Sequence, residues 1–346
     1  MDIMTRLTAA PADHPPQAFG KLGVLLVNLG TPEALTKQAV RTYLAEFLSD
    51  RRVVDYPAAL WQPVLQGIIL NTRPAKTCAA YAKIWDQETN ESPLRRYTRE
   101  QSEKLAQRLS GEIVVDWAMR YGVPAVGDRL SAMKQLGCDR ILVLPLYPQY
   151  SATTTGTACD AVFDWAKQQP WQPALRVVPP FHDDPGLIKA LARTCREHVT
   201  PETERVILSF HGLPQRYFRA GDPYHCQCQK TARLLREEMG WSDTFAPTAF
   251  QSKFGPEKWL EPSTENLVIQ AAEEGLKNIA VITPGFVSDC IETLEEVGLE
   301  LAETFEECGG EHLTAIPCLN SSDDFIDVLE RLSLRELEGW RSPDEG

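Results

Sequence analysis

Short runs of consecutive apolar residues recur along the chain, separated by amphipathic stretches. Gly23–Leu29 (GVLLVNL), Ile141–Tyr147 (ILVLPLY), Arg205–Phe210 (RVILSF) and Ile279–Phe286 (IAVITPGF) have strand length and little alternation. Such runs belong to strands covered on both faces. The segments reaching Gly137 and Gly275 read as helices whose last turn closes on a glycine, the residue that adopts the left-handed stop most readily. Strands alternating with helices predict a parallel sheet with helices on both faces, an α/β fold.

The pattern occurs twice. Gly23–Pro32 (GVLLVNLGTP) matches Arg205–Pro214 (RVILSFHGLP), and Arg120-Tyr121-Gly122 resembles Lys253-Phe254-Gly255. Gly137–Thr155 matches Gly275–Thr293, and Leu175–Leu191 matches Leu313–Leu329, both at an offset of 138 residues. Chance likeness between apolar runs would not hold one register over two blocks. The expectation is two similar Rossmann-like, doubly wound domains with parallel sheets around a shared cleft: residues 21–180 and 181–334, with tails at 1–20 and 335–346. Ligands in such sheets sit at the carboxyl ends of strands. Those ends carry Leu29–Thr31, Tyr147–Thr155, His211–Pro214 and Phe286–Glu292.

The halves differ in length. Pro32 to Gly122 spans 90 residues and Pro214 to Gly255 spans 41, so the first half carries an insertion of 49, placed at about 49–98. It contains the apolar stretch Ala58–Leu70, flanked by Arg51, Arg52, Arg73 and Lys76, and the segment Ser92–Thr98 with Arg95 and Arg96. An insertion after a first strand overhangs the cleft and reads as a lip. Ala58–Leu70 is too short and too broken to span a bilayer. It reads either as a core helix or as a surface that dips into a membrane interface or a greasy ligand.

Lys+Arg 35 against Asp+Glu 48 gives a net charge of −13, which argues against a nucleic-acid partner. Residues 1–20 lack the apolar core of a signal peptide, so a cytoplasmic location with reduced thiols is expected for the nine cysteines. Cys226 and Cys228 are spaced too closely for a CxxC site and read as small residues near a turn. No GxGxxG, Walker, HExxH or GxSxG motif is present.

Two places carry candidate chemistry. His211 ends an apolar strand where its repeat partner is Leu29, so the turn itself does not demand histidine. A histidine there can exchange a proton or bind a borderline metal; the alternative is a hydrogen-bonded structural histidine. Glu292, Glu296 and Glu300 recur every four residues, with Asp289 and Glu303 beyond either end, and form an acidic stripe on one helical face. The stripe suits a path for cations or protons, and the alternative is helix capping or a solvated face. One histidine with carboxylates fits transient Fe²⁺ better than structural zinc.

Taken together, LLVNLGTP, the YPQYS–TTG run, SFHGLP, GDPY–QC, FQSKFGP–WLEP and GF–SDCIETLEE resemble the ferrochelatase family from about Gly20 to Leu334. The resemblance implies two Rossmann-like halves around a cleft and insertion of Fe²⁺ into protoporphyrin IX with loss of two protons. It places the catalytic histidine on His211 and the paired acids on Glu292 and Glu296, with His211 and Glu292 as metal ligands. It places porphyrin contacts on Tyr147, Arg120 and Phe286. Some relatives hold an iron–sulfur cluster through a cysteine after PQYS and three in a C-terminal extension. Ala152 occupies the first position and no such extension precedes Gly346, so that cluster is not expected; Cys226 and Cys228 leave a different cluster type open. Fe²⁺ is then a substrate, with no tightly bound cofactor. Weak peripheral contact with the inner membrane face is expected, with monomer and homodimer both open. The alternatives are a porphyrin carrier on the same fold and a cobalt or nickel chelatase.

Overall fold

The computed structural model describes Asp13, residues 18–109, Gly111 and residues 113–340. Two four-stranded sheets form. The first contains β1 (Lys21–Gly30), β2 (Ile113–Tyr121), β3 (Cys138–Pro145) and β4 (Ala174–Val177), in the order β2-β1-β3-β4. The second contains β5 (Arg205–His211), β6 (Thr248–Gln251), β7 (Asn278–Ile282) and β8 (His312–Ala315), in the order β6-β5-β7-β8. Every pairing is parallel. The two orders are equivalent, which is the expected repeat realised in space. Strand order reverses at β1/β3 and at β5/β7, and these switch points open the crevices where α/β sheets bind ligands.

The pleat sorts β1 between two cores. Val24 and Leu26 enter one apolar cluster, and Leu25 and Val27 enter another. The first cluster also takes in Val206, Leu208 and Phe210 of β5, Leu187 and Leu191 of α7 (Pro185–His198), and Phe325 and Leu329 of α12 (Asp323–Leu337). One core is thus common to both halves. Helix α12 packs against α7, β3 and α4 (Pro93–Arg108), so the last helix of the second half rests on the first. It continues to Leu337, beyond the expected limit at 334, and residues 341–346 and most of 1–20 lie outside the described residues.

The helices expected to end on Gly137 and Gly275 are α5 (Val126–Gln135) and α10 (Thr264–Glu273), and both glycines have left-handed φ values of 98° and 87°. The match of Arg120-Tyr121-Gly122 to Lys253-Phe254-Gly255 is corrected. Gly30 pairs with Tyr121, while His211, one residue before the equivalent Gly212, pairs with Gln251. Tyr121 is therefore level with Ser252, two residues before the match by sequence.

Between β1 and β2 lie α1 (Lys37–Ser49), α2 (Ala58–Val64), a single π-turn (Leu65–Ile69), α3 (Leu70–Ile84) and α4. Leu65 and Leu70 bury against Tyr43, Leu44 and Tyr121, and the Trp61 indole N–H donates to the Leu48 carbonyl at 2.7 Å. This small core fixes the insertion over the ends of β1 and β2. Leu60 and Ile68 face outwards, 70% and 59% exposed, while Val64 between them also lines the cleft described below.

Candidate active site

A cleft of about 700 Å³ opens at the carboxyl ends of both sheets and is roofed by the insertion. Its size is that of a small-molecule site. Leu29 and Gly30 from β1, Tyr147 past β3, His211 from β5 and Phe286 past β7 all line it, as do Tyr56, Trp61 and Arg73 of the insertion. The two switch points therefore face one cavity.

His211 is the last residue of β5. Its Nδ1 lies 2.7 Å from the Gly212 carbonyl, and its ring centroid is 6.4 Å from that of Phe286. A carbonyl accepts only, so Nδ1 carries the hydrogen and Nε2 keeps its lone pair for a proton or a metal. The partner residue is its own neighbour in the turn, so this bond orients the ring without using up its chemistry.

Glu292 lines the cleft as the first residue of a helix that runs to Leu301. That helix is of the π type, with i→i+5 bonding, where the sequence predicts an α-helix; π-segments are often functional. The capping alternative fails, because the amide at the helix start, that of Cys290, donates to Thr293 Oγ1 at 3.0 Å and not to Glu292 or Asp289. Asp289 is buried and turned elsewhere. Its carboxylate accepts from Thr293 Oγ1 at 2.9 Å, Asn320 Nδ2 at 2.6 Å and the Cys318 amide at 3.2 Å. It ties the π-helix to the loop after β8.

Glu296 sits behind Glu292, and its Oε2 accepts from Ser252 Oγ at 2.6 Å. Burial pushes its carboxyl above the ordinary value, and the charge of Glu292 adds to this, while the Ser252 bond and nearby His211 oppose it. Glu300 and Glu303 are exposed, so the acidic row passes from the cleft wall to the surface. Glu295, which the spacing of four leaves out, is buried and pairs with Lys83 of α3 at 2.7 Å.

Tyr147 and Phe286 lie in the cleft wall. The Tyr147 hydroxyl and the Trp259 indole N–H are buried there with no hydrogen-bond partner among the described residues. Burial also drives the Tyr147 phenol far above its ordinary pKa. Arg120 does not line the cleft. Its guanidinium turns back to Asp50 at 2.5 Å and the Thr157 carbonyl at 2.9 Å, and it lies over the Tyr121 ring. Edge strand β2 ends beside the C-cap of α1, and the carboxylate there captures the arginine.

The basic residues around the lip divide in the same way. Arg52 pairs with Asp160, Arg95 with Glu91 and Arg96 with Asp86, while Arg51 and Lys76 are exposed outside the cleft lining. Arg73 lines the cleft over Phe254 at 4.3 Å, forms no ion pair among the described residues, and has its pKa lowered by burial.

Cys226 and Cys228 lie on helix α9 (Tyr224–Met239) instead of near a turn, the first exposed and the second buried. Among the described residues, no group of three or more His, Cys, Asp or Glu side chains is arranged to hold a metal ion. His211, Glu292 and Glu296 are therefore no closed cage. Sequence reasoning missed Arg73 as a cleft residue distinct from its basic neighbours. It also missed Gln251, Ser252 and Trp259, although all three lie within the FQSKFGP–WLEP segment.

Comparison with known proteins agrees with this geometry. The family model described as Ferrochelatase matches residues 21–337. The chain is 53% identical over 343 residues to the ferrochelatase of Agrobacterium fabrum, covering 98% of this chain and 100% of that one. It is 54% identical over 336 residues to the ferrochelatase of Rhizobium meliloti, covering 96% and 99%. In fold it is similar to SirB from Bacillus subtilis with Fe³⁺, at TM-score 0.55 and 12% identity over 93% of this chain and 97% of that one. The sirohydrochlorin chelatase SirB of Bacillus subtilis subspecies spizizenii, in complex with cobalt, gives TM-score 0.55 at 11% identity over 93% and 98%. With a family model spanning nearly the whole described chain and relatives matched end to end, the protein belongs to the ferrochelatase family.

Proposed function

We propose that the cleft binds protoporphyrin IX and inserts Fe²⁺ to form protohaem. The observation that carries this reading is one cavity that joins an apolar slot to a histidine and an acidic row leading outwards. A flat porphyrin keeps its nitrogen lone pairs in the ring plane. A slot that grips it bent presents them to the metal, and contacts remote from the nitrogens supply that distortion. Tyr147 and Phe286 contact the ring. Arg73, a cleft-wall cation that forms no ion pair among the described residues, takes a propionate.

Two pyrrole protons leave as the dication enters, so the charge balances. His211 accepts one through Nε2, and Glu292, backed by Glu296, ligates the incoming metal and takes up the other proton once the metal has passed to the ring. The open ligand set supports delivery over storage, since the ring nitrogens complete the metal's coordination. Fe²⁺ enters as substrate and the reading requires no resident cofactor.

A largely apolar wall, in which Arg73 is the one cation without an ion pair among the described residues, favours two propionates over four, because an unpaired buried carboxylate is costly. The outward pair Leu60 and Ile68, with Val64, Tyr56 and Phe254 exposed at the cleft mouth, favours weak peripheral contact with a membrane that delivers a poorly soluble substrate. Among the described residues no helix is long and apolar enough to cross one. All nine cysteines are free thiols, as a reducing cytoplasm maintains.

His211→Ala tests the assignment. We expect metal insertion to fall to the protein-free rate while porphyrin still quenches tryptophan fluorescence with unchanged affinity. Turnover within about threefold of wild type would remove His211 from the mechanism.

A further inference from the structure

The FQSKFGP segment holds two residues whose hydrogen bonds converge on the metal-handling groups. Gln251 ends β6 and is buried. Its Nε2 donates to the Glu292 carbonyl at 2.9 Å, and its Oε1 accepts from Ser209 Oγ at 2.8 Å. Ser209 Oγ is itself 2.7 Å from Thr264 Oγ1, so the amide is fixed from both ends. The Gln251 carbonyl accepts from the Gly212 amide at 2.7 Å, directly after His211. A β-carbon on Gly212 would lie 2.6 Å from that carbonyl, so the His211 turn and Gln251 approach as closely as glycine permits.

Ser252 follows with φ of 63°, in the left-handed region that disfavours side chains other than glycine, asparagine and aspartate. In that conformation its hydroxyl donates to Glu296 Oε2 at 2.6 Å. Glycine would satisfy the backbone at less cost, so the use of the position lies in the hydroxyl. Non-glycine residues held this way concentrate at functional sites. Two consecutive residues thus reach the turn of His211, the backbone of Glu292 and the carboxylate of Glu296.

We propose that Ser252 is a positioning residue for metal insertion: from its left-handed conformation it holds the Glu296 carboxylate, while Gln251 sets Glu292 against His211. The inference rests on the reading in which Glu296 serves the incoming metal. One oxygen of Glu296 is engaged by Ser252 at 2.6 Å, so the protein and not the metal sets the direction of the other.

Two substitutions separate hydroxyl from backbone. Ser252→Gly removes the donor and relaxes the chain. Its Tm should equal or exceed that of wild type and its porphyrin affinity should be unchanged, while kcat/KM for Fe²⁺ falls about tenfold or more, the scale of a lost hydrogen bond to a charged group. Ser252→Thr keeps the donor but strains a β-branched residue, so its Tm should fall while kcat/KM for Fe²⁺ per folded protein recovers relative to Ser252→Gly. Wild-type metal kinetics in Ser252→Gly would overturn the proposal, as would losses in both variants that simply track Tm. Glu296→Gln is measured beside them. If it retains full kcat/KM for Fe²⁺, the role of Glu296 falls and the proposal with it; if it is impaired while Ser252→Gly is not, the proposal alone is wrong.

Discussion

Replacing Glu292 by glutamine separates chemistry from architecture at one atom's cost. The side chain keeps its size, and the bond from Gln251 is unaffected because it goes to the backbone carbonyl of residue 292. No helix cap is lost, since the side chain that accepts an amide at the helix start is Thr293, from Cys290 at 3.0 Å. The negative charge that disappears is one its neighbours resist: it raises the pKa values of Glu296, Tyr81 and Cys290, adding in each case to the effect of burial. Stability should therefore stay within about 0.5 kcal/mol of wild type or rise. For a chain of this size Tm should then fall by no more than about 2 °C. A positioned proton acceptor or donor contributes about 10²–10⁴-fold to rate, and kcat for Fe²⁺ insertion should drop on that scale. Anaerobic stopped-flow spectra of porphyrin conversion give kcat, and calorimetric melting gives Tm. An active variant that melts several degrees lower would restore the capping interpretation and refute the role given to Glu292.

Three further expectations are independent of that residue. Arg73→Leu should raise KM for protoporphyrin about 10–100-fold with kcat little changed, since a charge-assisted hydrogen bond to substrate is lost; an unchanged KM would show that the propionates lie elsewhere. Leu60→Asp with Ile68→Asp should abolish flotation with anionic liposomes and leave insertion into detergent-dispersed porphyrin intact; equal partitioning of both proteins would dismiss the lip as an anchor. Asp184 caps α7 through the Gly186 and Leu187 amides at 2.9 and 3.1 Å and pairs with Arg331. Burial raises its pKa, but these partners outweigh it and hold the carboxyl below its ordinary value. Its stabilisation is therefore complete above about pH 4 and is lost as pH falls through the depressed value. Asp184→Ala should cost about 1–3 kcal/mol at pH 7, with the gap to wild type closing in acid urea titrations.

Much of the fold was legible because repetition is a property of the sequence itself. The common offset of two blocks predicts equivalent sheets, and apolar runs buried on both faces predict parallel pairing. His211 stood out because its repeat partner is leucine. The π-helix was not legible, since residues four apart share a face in either helix type and the hydrophobic pattern hardly distinguishes them. Arg120 misled for a different reason: its partner Asp50 lies 70 residues away, and only the folded insertion brings the carboxylate to it. The same holds for Arg73, which unlike Arg52 forms no ion pair among the described residues. Ser252 carries its meaning in a backbone angle, which a serine in sequence does not announce. The core shared between the halves was hidden because strand and helix patterns report which face is buried, not what covers it.

The most direct test mixes the purified protein anaerobically with Fe²⁺ and protoporphyrin IX, and follows haem formation and proton release together. Catalytic conversion with two protons released per haem, and a higher kcat/KM for protoporphyrin than for coproporphyrin, is the expected result. Tight porphyrin binding with haem forming no faster than in protein-free solution would contradict the account and leave a carrier in its place.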